Sequence, residues 1–169
     1  MIDRVLIDTL NIKSRDFAVK WKDKLRAADQ LKHYHAIENE QLIEAGTPIY
    51  SLLSNTLDRG LDRSRVGAFF VEMGKQRLRG GFPVSEVLYG LNVSQKVVIE
   101  YIMTEFAPEN SMRMYQSLGA LTTISEFFLL GSFYIVKGFL EETSTHMSKA
   151  DLAHIETFRK YFKDDLFFK

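Results

Sequence analysis

Apolar residues recur along this chain at spacings of three and four, and this periodicity restricts its fold more than any other feature. Alternation by two, the signature of a half-buried strand, is rare. Proline occurs only at Pro48, Pro83 and Pro108, so long stretches remain in which helices can form. The pattern predicts an all-α bundle of about six to eight helices, and the length suits one domain over residues 1–169.

Glycine and proline positions predict where helices begin and end. We predict a helix from Leu31 to Gly46, a break at Gly46–Pro48, and a new helix beyond it, because proline is favoured at a first helical position. Asp62 or Ser64 is expected to begin the next helix, since both side chains can cap exposed backbone amides.

The segment from Gly74 to Leu91 is predicted to join two amphipathic helices. Gly80 and Gly81 supply the backbone freedom needed at a helix end, and Pro83 suits the start of the following helix. We expect Arg77 to bond carbonyl groups at this junction or to pair with Glu86 across the turn.

Two later stretches are more apolar than one helix face requires. Residues 127–140 are apolar nearly all round, and a last helix is predicted over about 148–168 as a signalling or dimer helix. A helix that is apolar on two sides needs two partners, so we predict a homodimer. The charge-free run Phe127–Val136 is far shorter than the roughly 20 residues of a membrane span, and we expect no membrane insertion.

Composition excludes several classes of function. The chain has no cysteine, which rules out disulfides, thiolate catalysis and cysteine-bound metals. Its formal net charge is zero, so we expect no nucleic-acid partner. The absence of cysteine fits a cytoplasmic location.

The sequence offers little catalytic chemistry. It contains no phosphate-binding glycine loop and no nucleophile elbow, and no histidine lies between His35 and His146, where a globin would need its haem ligand. We therefore expect no enzyme activity, metal or cofactor. One alternative remains a phosphotransfer protein that uses His154.

Trp21 and the pattern Gly74-x-x-Arg77-x-x-x-Gly81-Phe82-Pro83-x-x-Glu86 stand in the same order as in a known family. Over roughly residues 17–140 the chain resembles the N-terminal sensory domain of the RsbR and RsbRD stress-response co-antagonists, which also precedes some histidine kinases. The resemblance implies a globin-like, haem-free helical fold and a homodimer whose C-terminal helix connects to an output domain.

No output domain or kinase core occurs in these 169 residues, so we expect an isolated sensory domain, either a stand-alone relative or a fragment. Six residues are expected to set the fold and the sensory surface: Trp21, Arg77, Gly81, Phe82, Pro83 and Glu86. The rival hypothesis is a receptor for a small molecule, with haem as one candidate. Its cavity, or else a subunit interface, would lie among Phe69, Phe70, Phe127, Phe128 and Tyr134.

Overall fold

A computed structural model describes residues 4–105 and 111–146, with side chains described for 4–105 and 115–145. The described part contains seven helices and no strand: α1 (Arg4–Ile12), α2 (Ser14–Arg26), α3 (Lys32–His35), α4 (Asn39–Arg59), α5 (Arg63–Arg79), α6 (Val84–Glu105) and α7 (Ser111–His146). The predicted all-α bundle of six to eight helices is confirmed. The helix predicted over 148–168 lies outside the described residues.

The helices pack around one apolar core. The most extensive contact joins α5 to α7, and the next joins α2 to α4; α1 covers α4, while α6 contacts both α7 and α2. The largest fully buried side chains come from α1, α2, the α2–α3 loop, α4, α5 and α7: Leu6, Leu10, Leu25, Leu31, Leu42, Tyr50, Leu53, Phe70, Ile124, Phe127, Phe128 and Ile135. Burial of this set supplies the main drive for folding.

Helix α4 continues through the predicted break, so that prediction is wrong. Pro48 lies inside α4, and the helix predicted to begin at Leu31 is instead divided between α3 and α4. Proline removes one backbone hydrogen bond and strains a helix interior by about 3 kcal/mol. Here Pro48 is exposed, while Ile43 and Ile49 on either side of it are buried. Packing of both halves of α4 against the core therefore overrides the local cost.

The two ends of α5 follow the sequence prediction. The Asp62 carboxylate accepts hydrogen bonds from the amides of Ser64 (3.0 Å) and Arg65 (3.1 Å) and caps the helix. At the other end Gly81 has φ 76°, a conformation that favours glycine. The Phe82 amide bonds the Arg77 carbonyl (3.0 Å) and the Gly81 amide bonds that of Leu78 (2.9 Å), the pattern of a Schellman turn.

Helices α5 and α7 run in the same direction and touch at their backbones. A Cβ atom added at Gly74 would overlap the carbonyl oxygen of Ile135, and one added at Gly138 would overlap that of Val71. Gly67 and Gly131, seven residues before these two glycines, face the rings of Tyr134 and Phe70. Small residues repeated every seven positions on both helices let the axes approach closely.

Candidate functional site

Four of the six residues singled out in the sequence surround one buried tyrosine. Tyr34 of α3 is 2% exposed. Its ring meets the Trp21 ring edge to face at a centroid distance of 6.0 Å and the Phe82 ring at 5.0 Å. We call Trp21, Tyr34, Arg77, Phe82 and Glu86 the Tyr34 cluster. It joins α2, α3, the end of α5 and the start of α6.

Arg77 covers the aromatic part of this cluster. Its guanidinium carbon lies 5.4 Å from the centroid of Tyr34 and 5.0 Å from that of Phe82. Such cation–π contacts contribute about 0.5–2 kcal/mol, depending on how far the cation is desolvated. Arg77 forms no ion pair within the described part of the chain. Its contacts with the two rings therefore fix this half-buried cation.

Glu86 bonds α3 rather than Arg77, so the predicted pair across the turn does not form. One carboxylate oxygen accepts the backbone N–H of His33 (3.0 Å), and the other lies 2.8 Å from the His33 Nδ1 atom. Glu86 stands in the first turn of α6, where the helix dipole favours a negative charge. The carboxylate thus fastens α3 to the start of α6.

The environment keeps the Tyr34 phenol protonated. Burial raises its pKa; the positive charge of Arg77 opposes this rise, and the negative charge of Glu86 adds to it. The cluster therefore holds its one phenol in the un-ionised form. Its arrangement is suited to holding four helices in a fixed relation.

Trp21 connects the cluster to the centre of the bundle. Its indole N–H donates to the Gly90 carbonyl of α6 at 2.8 Å, and its ring packs against Gly46 of α4. A Cβ atom at Gly46 would stand 2.6 Å from the indole Cε3 atom, so only glycine lets α4 approach this closely. Gly81 and Pro83 form the turn that carries Phe82 and do not contribute side-chain bonds of their own.

An open groove of about 600 Å³ adjoins the cluster between α4 and α5. Its walls are largely apolar and include three polar side chains; the lining residues are Ala45, Pro48, Ala68, Phe69, Glu72, Met73, Gln76, Arg77, Gly80 and Phe82. Arg77 therefore borders both the groove and the Tyr34 cluster. We call this space the α4–α5 groove.

The aromatic residues predicted to enclose a cavity occupy other positions. Phe70, Phe127 and Phe128 are at most 2% exposed and contact one another edge to face. Tyr134 packs against Gly67 in the α5–α7 contact, and Phe69 lines the α4–α5 groove. Three of the five rings therefore fill the core, and of the five only Phe69 lines the groove.

Helix α7 exposes an apolar face opposite its contact with α5. Leu129 is 71% exposed and Phe133 62%, and Leu118 and Leu140 extend the same face in both directions. By length and composition the segment Tyr115–Thr145 would be able to cross a membrane, and it is the single such candidate within the described residues. The core helix of a soluble protein can have the same length and composition, so these two features do not distinguish a membrane span from a core helix.

The described residues contain no candidate metal site, and they do not include the histidine of the phosphotransfer alternative. No group of three or more histidine, aspartate or glutamate side chains in them is arranged to hold a metal ion. His154, the candidate phosphoacceptor, lies outside the described residues.

Comparison with known proteins assigns the chain to a family. A family model described as histidine kinase N terminal matches residues 3–141, which include all of the Tyr34 cluster and the α5–α7 contact. No curated protein and no solved structure is similar enough to count as a match. The chain therefore belongs to the histidine kinase N-terminal family, a family of sensory input domains of signalling proteins.

Proposed function

We propose that this chain is a non-enzymatic sensor domain that forms a homodimer and relays a signal through α7. We also propose that the domain is RsbR-like, with a globin-like fold, no haem and a role in stress signalling. The pattern from Gly74 to Glu86 supports this closer assignment, because its side chains build the Tyr34 cluster rather than a catalytic or haem site.

The exposed apolar face of α7 carries the dimer proposal. Four large side chains on this face are more than half exposed: Leu118, Leu129, Phe133 and Leu140. Contiguous exposed apolar surface on a soluble protein commonly marks an interaction site. A twofold dimer would bury the same face of both copies, as an isologous interface requires.

The dimer is tested by exchanging apolar for charged residues on this face. We expect light scattering after size-exclusion chromatography to give a dimer for the unaltered chain. The double variant Leu129→Glu with Phe133→Glu should be a folded monomer, because charges in a desolvated interface are strongly unfavourable.

Met103→Glu is the matched control, since Met103 is equally exposed but lies on α6. It should remain a dimer. A monomeric unaltered chain at high micromolar concentration, or a dimeric double variant, would contradict the proposal.

We further propose a cytoplasmic location without membrane insertion or nucleic-acid binding. The membrane candidate is α7, whose other face makes backbone contact with α5 at Gly74 and Gly138. A lone span in lipid would lose those contacts. The zero net charge of the chain also disfavours a polyanionic partner.

The α4–α5 groove supports a second function, the sensing of a small molecule. Its apolar walls suit an apolar body, and Arg77 at its edge suits an anionic group on the same molecule. Such a ligand would replace water around a guanidinium that has no ion-pair partner in the described structure.

The groove is tested with anilinonaphthalene sulfonate, an apolar aromatic anion whose fluorescence rises on binding. We expect one site per chain and a loss of affinity of about tenfold in Arg77→Gln, the size expected for one charge-assisted bond. Arg65→Gln, at the opposite end of α5, should leave the affinity unchanged. Equal affinities in all three proteins would exclude Arg77 from the site.

A further inference from the structure

The contact between α5 and α7 ends in a cluster of charges. Beyond the glycine contacts, Arg79 donates from Nε and from its second terminal nitrogen to the two carboxylate oxygens of Glu142, at 2.8 and 2.9 Å. Lys75 pairs with Glu141 at 2.9 Å. The Glu142 side chain is only 9% exposed, whereas that of Glu141 is 43% exposed. The Arg79 side chain is 53% exposed and that of Lys75 27%, so the Arg79–Glu142 pair is distinguished by its two hydrogen bonds rather than by burial of both partners.

Charge and geometry both make the Arg79–Glu142 pair a firm attachment. Two parallel hydrogen bonds fix the guanidinium and the carboxylate in one plane, which a single lysine contact does not do. The Arg79 Nη1 atom also lies 3.6 Å from the Glu72 carboxylate, two helical turns earlier on α5. The hydrogen bond from Lys75 lowers the pKa of Glu141, so Glu141 stays charged at neutral pH.

The three residues that follow Glu142 weaken the helix. The hydroxyls of Thr143, Ser144 and Thr145 donate to the carbonyls of Phe139, Glu141 and Glu142, each at 2.7 Å. Such bonds compete for carbonyls that also accept the backbone amides of the helix and often bend it. Threonine and serine also have lower helix propensity than alanine, by roughly 0.5 kcal/mol per residue.

The last turns of α5 link this place to the Tyr34 cluster. Arg77 faces Tyr34 and Phe82, while Lys75 and Arg79, two residues to either side, face α7. Any rotation or shift of the end of α5 that follows a change at Arg77 therefore moves Arg79 against Glu142.

We propose that the Arg79–Glu142 pair is a latch and that Thr143–Thr145 is a hinge at which α7 bends once the latch opens. The latch fixes α7 to α5 at Glu142, and the hydroxyl-rich segment begins at the next residue. The signalling role of the hinge rests on the relay function proposed above. The bending of α7 at Thr143–Thr145 does not depend on that function.

Hydrogen exchange followed by mass spectrometry on the full 169-residue chain tests the latch and the hinge. Removing one charge, in Arg79→Gln or Glu142→Gln, should lower the protection of amides 139–145 about tenfold, because the charge-assisted hydrogen bonds that join α5 to α7 are weakened. Protection in α2 and α4 should stay unchanged. The charge exchange Arg79→Glu with Glu142→Arg should restore most of the protection.

The hinge has its own variant and control. Replacing Thr143, Ser144 and Thr145 together by alanine should raise protection of amides 143–145 several-fold, with or without the latch. Arg15→Gln removes an exposed pair with Glu40 and should leave α7 unaffected. Unchanged protection at 139–145 in the latch variants, a uniform loss across the chain, or no effect of the alanine triple would overturn the proposal.

Light scattering on the same samples separates this inference from the dimer relay. Local exchange changes in a monomeric protein would support the latch and hinge and refute the relay through a dimer. A dimer with uniform exchange changes would refute the latch and hinge alone.

Discussion

Replacement of Gly138 with alanine is expected to lower the free energy of unfolding by roughly 3 kcal/mol, the upper range for overpacking a tight core. The added methyl group would overlap the carbonyl oxygen of Val71, which belongs to the backbone of α5. A neighbouring side chain would rotate away from the added methyl group, but a helix backbone has to move as a whole. Thermal unfolding of the 169-residue chain should show the loss as a fall in the midpoint temperature of roughly 10 °C.

Gly119→Ala is the matched control because it adds the same methyl group to the same helix. A Cβ atom there has open space around it, so the change should stabilise the chain by about 0.5–1 kcal/mol through helix propensity. A Gly138→Ala variant as stable as the unaltered chain would mean that α5 and α7 are not in backbone contact.

The fold class could be predicted because it depends on local patterns. The spacing of apolar residues predicts helices. The Asp62 side chain caps the start of α5, and Gly81 ends that helix by adopting a positive φ. Pro48 shows the limit of such reasoning. Its local effect predicts a break, but burial of residues on both sides keeps α4 continuous, and that burial depends on partners distant in sequence.

The candidate site was only partly predictable, since its contacts join distant segments. Arg77 and Glu86 lie at the same junction between α5 and α6, but the partner of Glu86 is His33, 53 residues away. Tyr34 carried no signal beyond that of an ordinary core residue. The close approach at Gly138 likewise needs the parallel course of α5 and α7, which no single helix pattern contains.

Trp21→Ala is expected to lower the free energy of unfolding by roughly 3–5 kcal/mol, as for other large buried aromatic residues. Trp21 is 2% exposed, and its removal would leave a cavity against Gly46 and withdraw an edge-to-face partner from Tyr34. Far-ultraviolet circular dichroism during thermal unfolding is the suitable measurement, because the chain contains no other tryptophan to report by fluorescence.

One further variant isolates the contribution of the indole hydrogen bond, and a second serves as the control. Trp21→Phe keeps most of the ring but removes the N–H that donates to the Gly90 carbonyl, so about 1–2 kcal/mol should be lost. Met103→Ala, an exposed truncation on α6, should change stability by less than about 0.5 kcal/mol. If Trp21→Ala lost no more than Met103→Ala, Trp21 would not anchor the Tyr34 cluster, and the cluster would have to be held by Arg77 and Glu86 alone.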